Sequence, residues 1–161
     1  MNPLVISAFP CTGKSWCCEH PGVMRMADSD SSKFSWSEPG VRNPEFPDNY
    51  MANLISLMAE GTDVIFISSH KVVRDALRRL QIPAVLVYPE RLCKGEYLER
   101  ARERGSDAMF LDVLDGNWNA WIDEMNRETG FEKIVLCQGE HLEDALRRII
   151  KGRIANEPSV E

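Results

Sequence analysis

The sequence lacks the cysteine patterns of a disulfide-rich or zinc-binding protein. It contains five cysteines, and no two of them form a C-x-x-C pair. Disulfide frameworks use an even number of cysteines, and zinc sites use closely spaced pairs. We therefore expect neither a disulfide framework nor a zinc site. We interpret most of the thiols as small buried apolar side chains.

The sequence also lacks an excess of positive charge, long apolar runs and the pattern expected of a signal peptide. Its 161 residues include 19 Lys and Arg against 25 Asp and Glu, a formal net charge of −6 at pH 7. This balance gives no overall attraction to nucleic acid, so only a local basic patch would bring such a partner. No apolar run has the length of a membrane span, and no membrane partner is expected. The N-terminus has neither a basic start nor a small-residue cleavage site, which favours a cytoplasmic location.

The composition is that of one globular domain. Hydrophobic residues make up 43% of the chain and charged residues 27%, which is ordinary for a globular protein. The length suffices for a single domain with a substantial core. We predict this domain at residues 1–154 and a frayed tail at residues 155–161, where no core-forming pattern is present. No pattern in the sequence indicates an oligomeric state.

Short apolar segments alternate with helix-compatible segments along the chain. The alternation predicts an α/β domain with a parallel five-stranded sheet and helices on both faces. The final helix is predicted to begin at Leu142, and a long helix is predicted to break near Gly116. The predicted strands are residues 4–7, 23–27, 63–68, 84–88 and 131–137, and the predicted helices are residues 13–18, 48–60, 71–80, 106–126 and 142–150.

Residues 31–48 show neither a helical nor a strand period. Ser, Pro, Asn and Gly dominate this segment, which predicts an irregular structure. An irregular segment of this length inside a domain is usually functional or disordered. Its aromatic residues suit two interpretations. They can form a surface that stacks on a base or covers a ligand, or they can pack the segment onto the rest of the domain. These aromatic residues are Phe34, Trp36 and Phe46.

The residues from Leu4 to Ser15 have the character of a strand, a tight loop and the start of a helix. The loop ends in Gly13-Lys14-Ser15. Consecutive backbone N–H groups in such a loop form a cradle for anionic oxygens, and the following helix start favours an anion. Lys14 would add a positive charge for the outer phosphates, and the Ser15 hydroxyl would bind Mg²⁺. The pattern predicts a phosphate-binding loop; the alternative is a chance Gly-Lys-Ser after a strand.

The loop departs from the pattern G-x-x-x-x-G-K-[ST] at its first position, where Ala8 replaces Gly. Glycine is used there because the chain turns sharply, so alanine can serve only if its φ angle is negative. Pro10 removes one backbone donor. The remaining donors are the backbone N–H groups of Cys11, Thr12, Gly13, Lys14 and Ser15.

Polar residues follow the predicted strands at the edge where a parallel sheet binds its ligands. Asp28 and Asp30 come after the second strand, and Ser68-Ser69-His70 after the third. Asp28 could hold Mg²⁺ through a water. Asp30 could orient or deprotonate an acceptor hydroxyl. The alternative is that both form turns. His70 fits a helix cap better than a catalytic group.

The order of these features resembles the small nucleoside and nucleotide kinases of the adenylate- and thymidylate-kinase type, including kinase-like proteins carried by bacteriophages. The resemblance runs from Leu4 to about Gly152, and its specific motif is Pro10 to Ser15. It implies a P-loop NTPase fold and a phosphotransferase. The implied reaction is ATP- and Mg²⁺-dependent transfer to a nucleoside monophosphate or a related (deoxy)nucleotide.

The resemblance also implies roles for individual residues. Residues 10–15 would bind ATP together with Arg91, and residues 91–105 would form a lid with Arg100 and Arg104 as catalytic arginines beside Lys14. Phosphoryl transfer spreads negative charge, which such arginines would stabilise. The alternative for the lid is an ordinary solvated helix with i,i+4 pairs. Residues 31–60 would form the acceptor side, and the implied acceptor-binding residues are Asp28, Phe34, Trp36, Arg42 and Arg74.

Other functions stay open. A kinase that acts on a hydroxyl of a modified base or a nucleic acid end would suit Asp30 as base, although the net charge of −6 counts against a nucleic acid. A nucleotide-binding regulatory protein without activity fits Ala8 and the lack of a carboxylate after the third strand. A third interpretation is an α/β scaffold with a decayed loop. The sequence has no Asn/Thr-Lys-x-Asp motif, which argues against a GTPase switch.

Overall fold

Strands and helices alternate along residues 2–156, the part of the chain that the computed structural model describes. A short 3-10 helix precedes α5. The elements are β1 (Leu4–Ala8), α1 (Lys14–Glu19), β2 (Met26–Asp28), α2 (Ser32–Ser35), β3 (Trp36–Glu38), β4 (Val41–Arg42), α3 (Asp48–Ala59), β5 (Val64–Ser68), α4 (Lys71–Arg79), β6 (Val85–Pro89), the 3-10 helix (Arg91–Cys93), α5 (Lys94–Glu103), α6 (Ala108–Arg127), β7 (Glu132–Leu136) and α7 (Leu142–Ala155).

Five of the strands form one parallel sheet in the order β2-β5-β1-β6-β7. The first strand lies at the centre, where Ala8 is paired with Ser68 on one side and with Val87 on the other. All five residues of β1 are buried, which is the pattern of a strand that is covered on both faces. The prediction of an α/β domain with a five-stranded parallel sheet is confirmed.

The side chains of β1 alternate between two layers of helices. Leu4, Ile6 and Ala8 belong to a core cluster with residues of α1 and α7. Val5 belongs to a cluster with α3 and α4 on the other face. Further along that face, Phe9 packs with α5 and α6. The expected helices on both faces of the sheet are therefore present.

Three predictions for individual elements were wrong. The chain at residues 31–48 is only partly irregular, because residues 32–38 and 41–42 form α2 and an antiparallel β3–β4 hairpin. The second strand begins at Met26 rather than at Val23, whose side chain is fully exposed. The long helix α6 continues through Gly116. A helical glycine costs about 1 kcal/mol relative to alanine, and the complete burial of Leu114 and Trp118 outweighs this cost.

The last helix, α7, extends into the predicted tail. Ala155 is the last residue of α7 rather than part of a tail, and residues 157–161 of the predicted tail lie outside the described residues. Among the helices at residues 2–156, none combines the length and the apolar character that crossing a membrane would require.

Candidate functional site

A cleft of about 660 Å³ opens at the carboxyl ends of β1, β2 and β5. This is the edge where open parallel sheets bind ligands. We call its side on β1 the loop wall, which consists of residues 10–16 with Arg100, Arg104 and Phe110. We call its side on β2 and β5 the serine wall, which consists of residues 28–32 and 68–70. Sequence prediction therefore placed the loop, both aspartates and His70 correctly at one edge.

The loop accommodates alanine at its first position. Ala8 is the last residue of β1, and its backbone is extended in the sheet. The left-handed turns come later, at Cys11 with φ 63° and at Gly13 with φ 110°. The condition under which alanine can replace glycine at position 8 is therefore met. Gly13, with its positive φ, has the conformation that glycine adopts at no steric cost.

Hydrogen bonds fix the loop through its side chains and carbonyl groups. Thr12 Oγ1 donates to the Phe9 carbonyl at 2.8 Å, and the Leu142 N–H donates to the Thr12 carbonyl at 2.8 Å. Within residues 2–156, the backbone N–H groups of residues 11–15 donate no hydrogen bond. Thr12 is the buried member of this run, and Ser15 is exposed. Five consecutive backbone donors that have no acceptor within the described chain give a geometry suited to an anionic ligand.

Lys14 lies at this loop with its ammonium group turned back to the protein. Its Nζ is 3.4 Å from the Ala8 carbonyl oxygen. Burial lowers the pKa of Lys14, and the nearby Arg104 acts in the same direction, whereas the charge of Asp28 opposes the change. A bound anion would favour the charged form of this lysine.

The two arginines that were predicted as a catalytic pair have different environments. Arg100 donates to the carbonyl groups of Cys11 at 3.2 Å and Glu140 at 2.8 Å and to the Glu96 carboxylate at 2.7 Å. Glu96 also accepts from the Gly139 N–H at 3.1 Å. Arg100 therefore joins α5 and the β7–α7 connection to the loop, and its guanidinium is largely occupied.

Arg104 is the more available cation of the loop wall. Its Nε donates to the Ser106 hydroxyl at 3.0 Å, and its guanidinium lies 5.1 Å from the ring centre of Phe110. Among residues 2–156, no carboxylate forms an ion pair with it. A guanidinium in this setting can contact a phosphate with the rest of its donors.

The serine wall carries both predicted carboxylates. Asp28 Oδ1 is buried and has no hydrogen-bond partner in residues 2–156. Burial raises the pKa of Asp28, against the effect of the nearby Lys14. Asp30 Oδ1 accepts from the Ser32 N–H at 2.9 Å, as in the turn that was one interpretation of this residue. Asp30 Oδ2 accepts no hydrogen bond from residues 2–156.

Tyr50 supports the serine wall from below. Its hydroxyl donates to the Ser29 carbonyl at 2.5 Å and accepts from the Ser68 N–H at 3.1 Å. Tyr50 is completely buried, so its ring is a support for the wall rather than a surface for a base. At the end of β5, the Ser68 hydroxyl lies 2.7 Å from His70 Nδ1. Burial lowers the pKa of His70, as do the nearby Arg42, Lys14 and Arg74, which favours a neutral ring.

Arg74, which was predicted to contact an acceptor phosphate, does not line the cleft. Its side chain is buried and forms ion pairs with Glu124 and, at 2.8 Å, with Glu128. It also donates to the Ser69 carbonyl. These acceptors occupy the guanidinium, which therefore connects α4 to α6.

Arg91 is also absent from the cleft, contrary to the prediction that it binds ATP. It forms an ion pair with Asp123 and donates to the Asn119 side chain at 3.2 Å. Its backbone carbonyl accepts from Trp118 Nε1 at 2.9 Å. The start of the predicted lid is thus attached to α6.

The three acceptor-binding residues predicted from the segment at 31–48 lie outside the cleft as well. Phe34 packs on Tyr50, with ring centres 5.4 Å apart, so the interpretation as packing is correct for it. Arg42 lies 4.1 Å above the Trp36 ring, where both residues belong to the β3–β4 hairpin. These two residues stack on each other and do not line the cleft.

Other residues of the cleft were not predicted as site residues. Phe110 and Trp16 line the loop wall, and Trp16 stacks on His20 with ring centres 4.3 Å apart. The apolar period of α6 assigned Phe110 to the core, and no local sequence signal distinguishes it from the buried positions. Ser31 and Ser32 line the serine wall and were interpreted only as loop residues.

The residues predicted to hold Mg²⁺ share the cleft. Ser15 and Asp28 both line it, and the unpartnered Asp28 Oδ1 is an oxygen suited to this ion or to its water shell. Residues 2–156 contain no group of three or more His, Cys, Asp or Glu side chains that could hold a metal ion by themselves. Mg²⁺ that accompanies a nucleotide needs only one or two protein ligands besides the phosphates, so the pair fits.

Comparison with known proteins gives no family to add to this geometry. No protein-family model matches the chain, and a search of curated proteins finds no match. The cleft and its residues are therefore the basis for any function assigned to the chain.

Proposed function

We propose that this protein is an ATP- and Mg²⁺-dependent phosphotransferase that acts on a nucleoside, a nucleotide or a related acceptor. The observation that carries the proposal is the run of backbone N–H groups at residues 11–15, which have no acceptor within the described chain. Lys14 and Arg104 stand beside them in the same cleft. Neutral donors and cations in this arrangement are complementary to a chain of phosphates.

Most residues of the loop wall have a task in this reaction. The N–H groups of residues 11–15 hold the β- and γ-phosphates, and Lys14 turns from the Ala8 carbonyl to the outer phosphates. Arg104 stabilises the charge that spreads over the transferred group, because phosphoryl transfer depends mostly on positioning and charge stabilisation. Arg100 keeps the loop in place through the Cys11 carbonyl.

Ser15 and Asp28 would hold Mg²⁺ in the cleft. When bound, the ion neutralises phosphate charge and orients the phosphates. Binding of the acceptor is left to residues of the chain. The serine wall receives the acceptor, and the cleft of about 660 Å³ lies within the usual range for small-molecule sites.

The test is calorimetric binding of Mg-ATP, followed by ADP formation across ribo- and deoxynucleosides and their monophosphates. Lys14→Ala should bind ATP about 10- to 100-fold more weakly, because a hydrogen bond to a charged group contributes about 1.5–3 kcal/mol. Lys151→Ala is the matched control, since Lys151 is exposed on α7. Binding that is equal in both variants, or no binding by the wild type, would reject the proposal. Binding without turnover of any acceptor would favour the non-catalytic regulatory protein.

A further inference from the structure

The two walls of the cleft differ in charge. The loop wall contributes Lys14, Arg100 and Arg104, whereas the serine wall contributes two carboxylates, Asp28 and Asp30. The rest of the serine wall consists of serines and His70. No lysine or arginine among the described residues lines the serine wall.

The cations near the serine wall do not line the cleft, although Arg74 donates to the Ser69 carbonyl of this wall. Arg74 is buried in ion pairs with α6, and Lys71 Nζ is 2.5 Å from Asp75. Arg42 stacks on Trp36 in the hairpin. Lys33 is exposed on α2 and does not line the cleft. An acceptor phosphate would therefore find no cation of the chain directly on this wall.

We propose that the group phosphorylated in this cleft is a neutral hydroxyl and not a phosphate, an inference that rests on the phosphotransferase activity proposed above. Like charges placed side by side at a binding site reduce affinity strongly, and a second phosphate would face Asp28 and Asp30. If Asp28 is engaged by Mg²⁺, Asp30 still faces the acceptor. A hydroxyl can donate to a carboxylate and accept from a serine, so it suits this wall.

The transfer is balanced with ATP as the only co-reactant. The acceptor oxygen forms a bond to the γ-phosphorus, and the bond from that phosphorus to the β–γ bridging oxygen breaks. ADP leaves with the electron pair of that bond. The proton of the acceptor hydroxyl passes to the Asp30 carboxylate, whose Oδ2 accepts no hydrogen bond from residues 2–156. Asp30 contacts the reacting group in this step and is therefore a catalytic residue.

The experiment compares acceptors that differ only in the reacting group. Radiolabelled γ-phosphate from Mg-ATP is followed onto nucleosides, a hydroxymethylated pyrimidine nucleoside and a 5′-hydroxyl oligonucleotide, and onto the matching 5′-monophosphates. We expect transfer to at least one hydroxyl acceptor, and its identity distinguishes sugar, base and nucleic acid sources. Faster transfer to a monophosphate than to its nucleoside would overturn this inference and leave the phosphotransferase activity intact.

Asp30→Asn provides a second measurement that does not depend on finding the natural acceptor. Water can replace the acceptor hydroxyl, so the slow hydrolysis of ATP should fall by about 10²- to 10⁴-fold, as for loss of a general base. Asp112→Asn, a change at an exposed position of α6, should have no effect. ATP affinity and thermal stability should stay unchanged in both variants. Unchanged hydrolysis in Asp30→Asn would overturn the inference, and failure of the wild type to bind ATP would reject the proposed function itself.

Discussion

Two arginine-bearing helices follow strands at the same edge of the sheet, and they use their arginines differently. Helix α4 follows β5 and carries Arg74, whereas α5 follows β6 and is capped by Arg104. Arg74 is buried against carboxylates of α6. Arg104 stacks on Phe110 and faces the cleft. The acids on the neighbouring element therefore decide whether an arginine is held in buried ion pairs or is left facing the cleft.

The largest effect in tests of this comparison is expected at Arg74. Arg74→Met should lower the free energy of unfolding by about 3 kcal/mol, because it removes the arginine partner of Glu124 and one of the two arginine partners of the mostly buried Glu128. Urea denaturation followed by circular dichroism measures the change. The matched control on the same helix is Arg79→Met, which removes an exposed pair with Asp48 and should cost less than about 1 kcal/mol. Equal losses in the two variants would contradict a structural role specific to Arg74.

The next effect concerns activity and is expected at Arg104. Arg104→Ala should lower kcat by about 10²- to 10³-fold, the usual cost of removing one preorganised donor to a developing charge. Its free energy of unfolding should change by less than about 0.5 kcal/mol, as for other surface substitutions. Arg102→Ala is the control, since Arg102 is exposed and pairs with Glu99 on the same helix. A kcat for Arg104→Ala that equals that of the control would show that Arg104 does not serve the reaction.

The smallest effect is a dependence of stability on pH. Burial alone would raise the pKa of Glu128, but hydrogen bonds from Arg74 and Arg78 outweigh it and lower the pKa below the ordinary value of 4.5. A carboxyl with a lowered pKa stabilises the fold above its unfolded pKa, and this contribution is lost as the pH falls through the folded value. Unfolding free energies between pH 7 and pH 3 should therefore decline less in Glu128→Gln than in the wild type. An identical decline in both would contradict the assignment.

Local patterns in the sequence were sufficient to predict much of the fold and part of the site. Buried apolar runs predicted the strands, and the parallel sheet then placed residues 10–15, Asp28 and His70 at one edge. The partners of the charged residues could not be predicted, because the ion pairs of Arg74 join residues about 50 positions apart in the sequence. The hydrogen bonds of Arg100 could not be predicted for a similar reason. Two of its acceptors are backbone carbonyls of residues that are distant in the sequence.

The β3–β4 hairpin and the continuous helix α6 also could not be predicted from local sequence patterns. The two strands of the hairpin are too short to give a period, and the stacking of Arg42 on Trp36 depends on their pairing. In α6, the predicted break at Gly116 followed from the low helix propensity of glycine alone. The buried Trp118 keeps the helix continuous through packing that the local pattern does not contain.

The most direct test of the central claim, that the loop at residues 11–15 binds the phosphates of ATP, is a ¹⁵N–¹H NMR titration with a non-hydrolysable ATP analogue and Mg²⁺. Our account predicts that the largest amide shifts occur at Cys11, Thr12, Gly13, Lys14 and Ser15, because their N–H groups gain acceptors. Lys14→Ala should reduce these shifts at the same ligand concentration. Shifts confined to another surface, or no shifts at saturating ligand, would contradict the account.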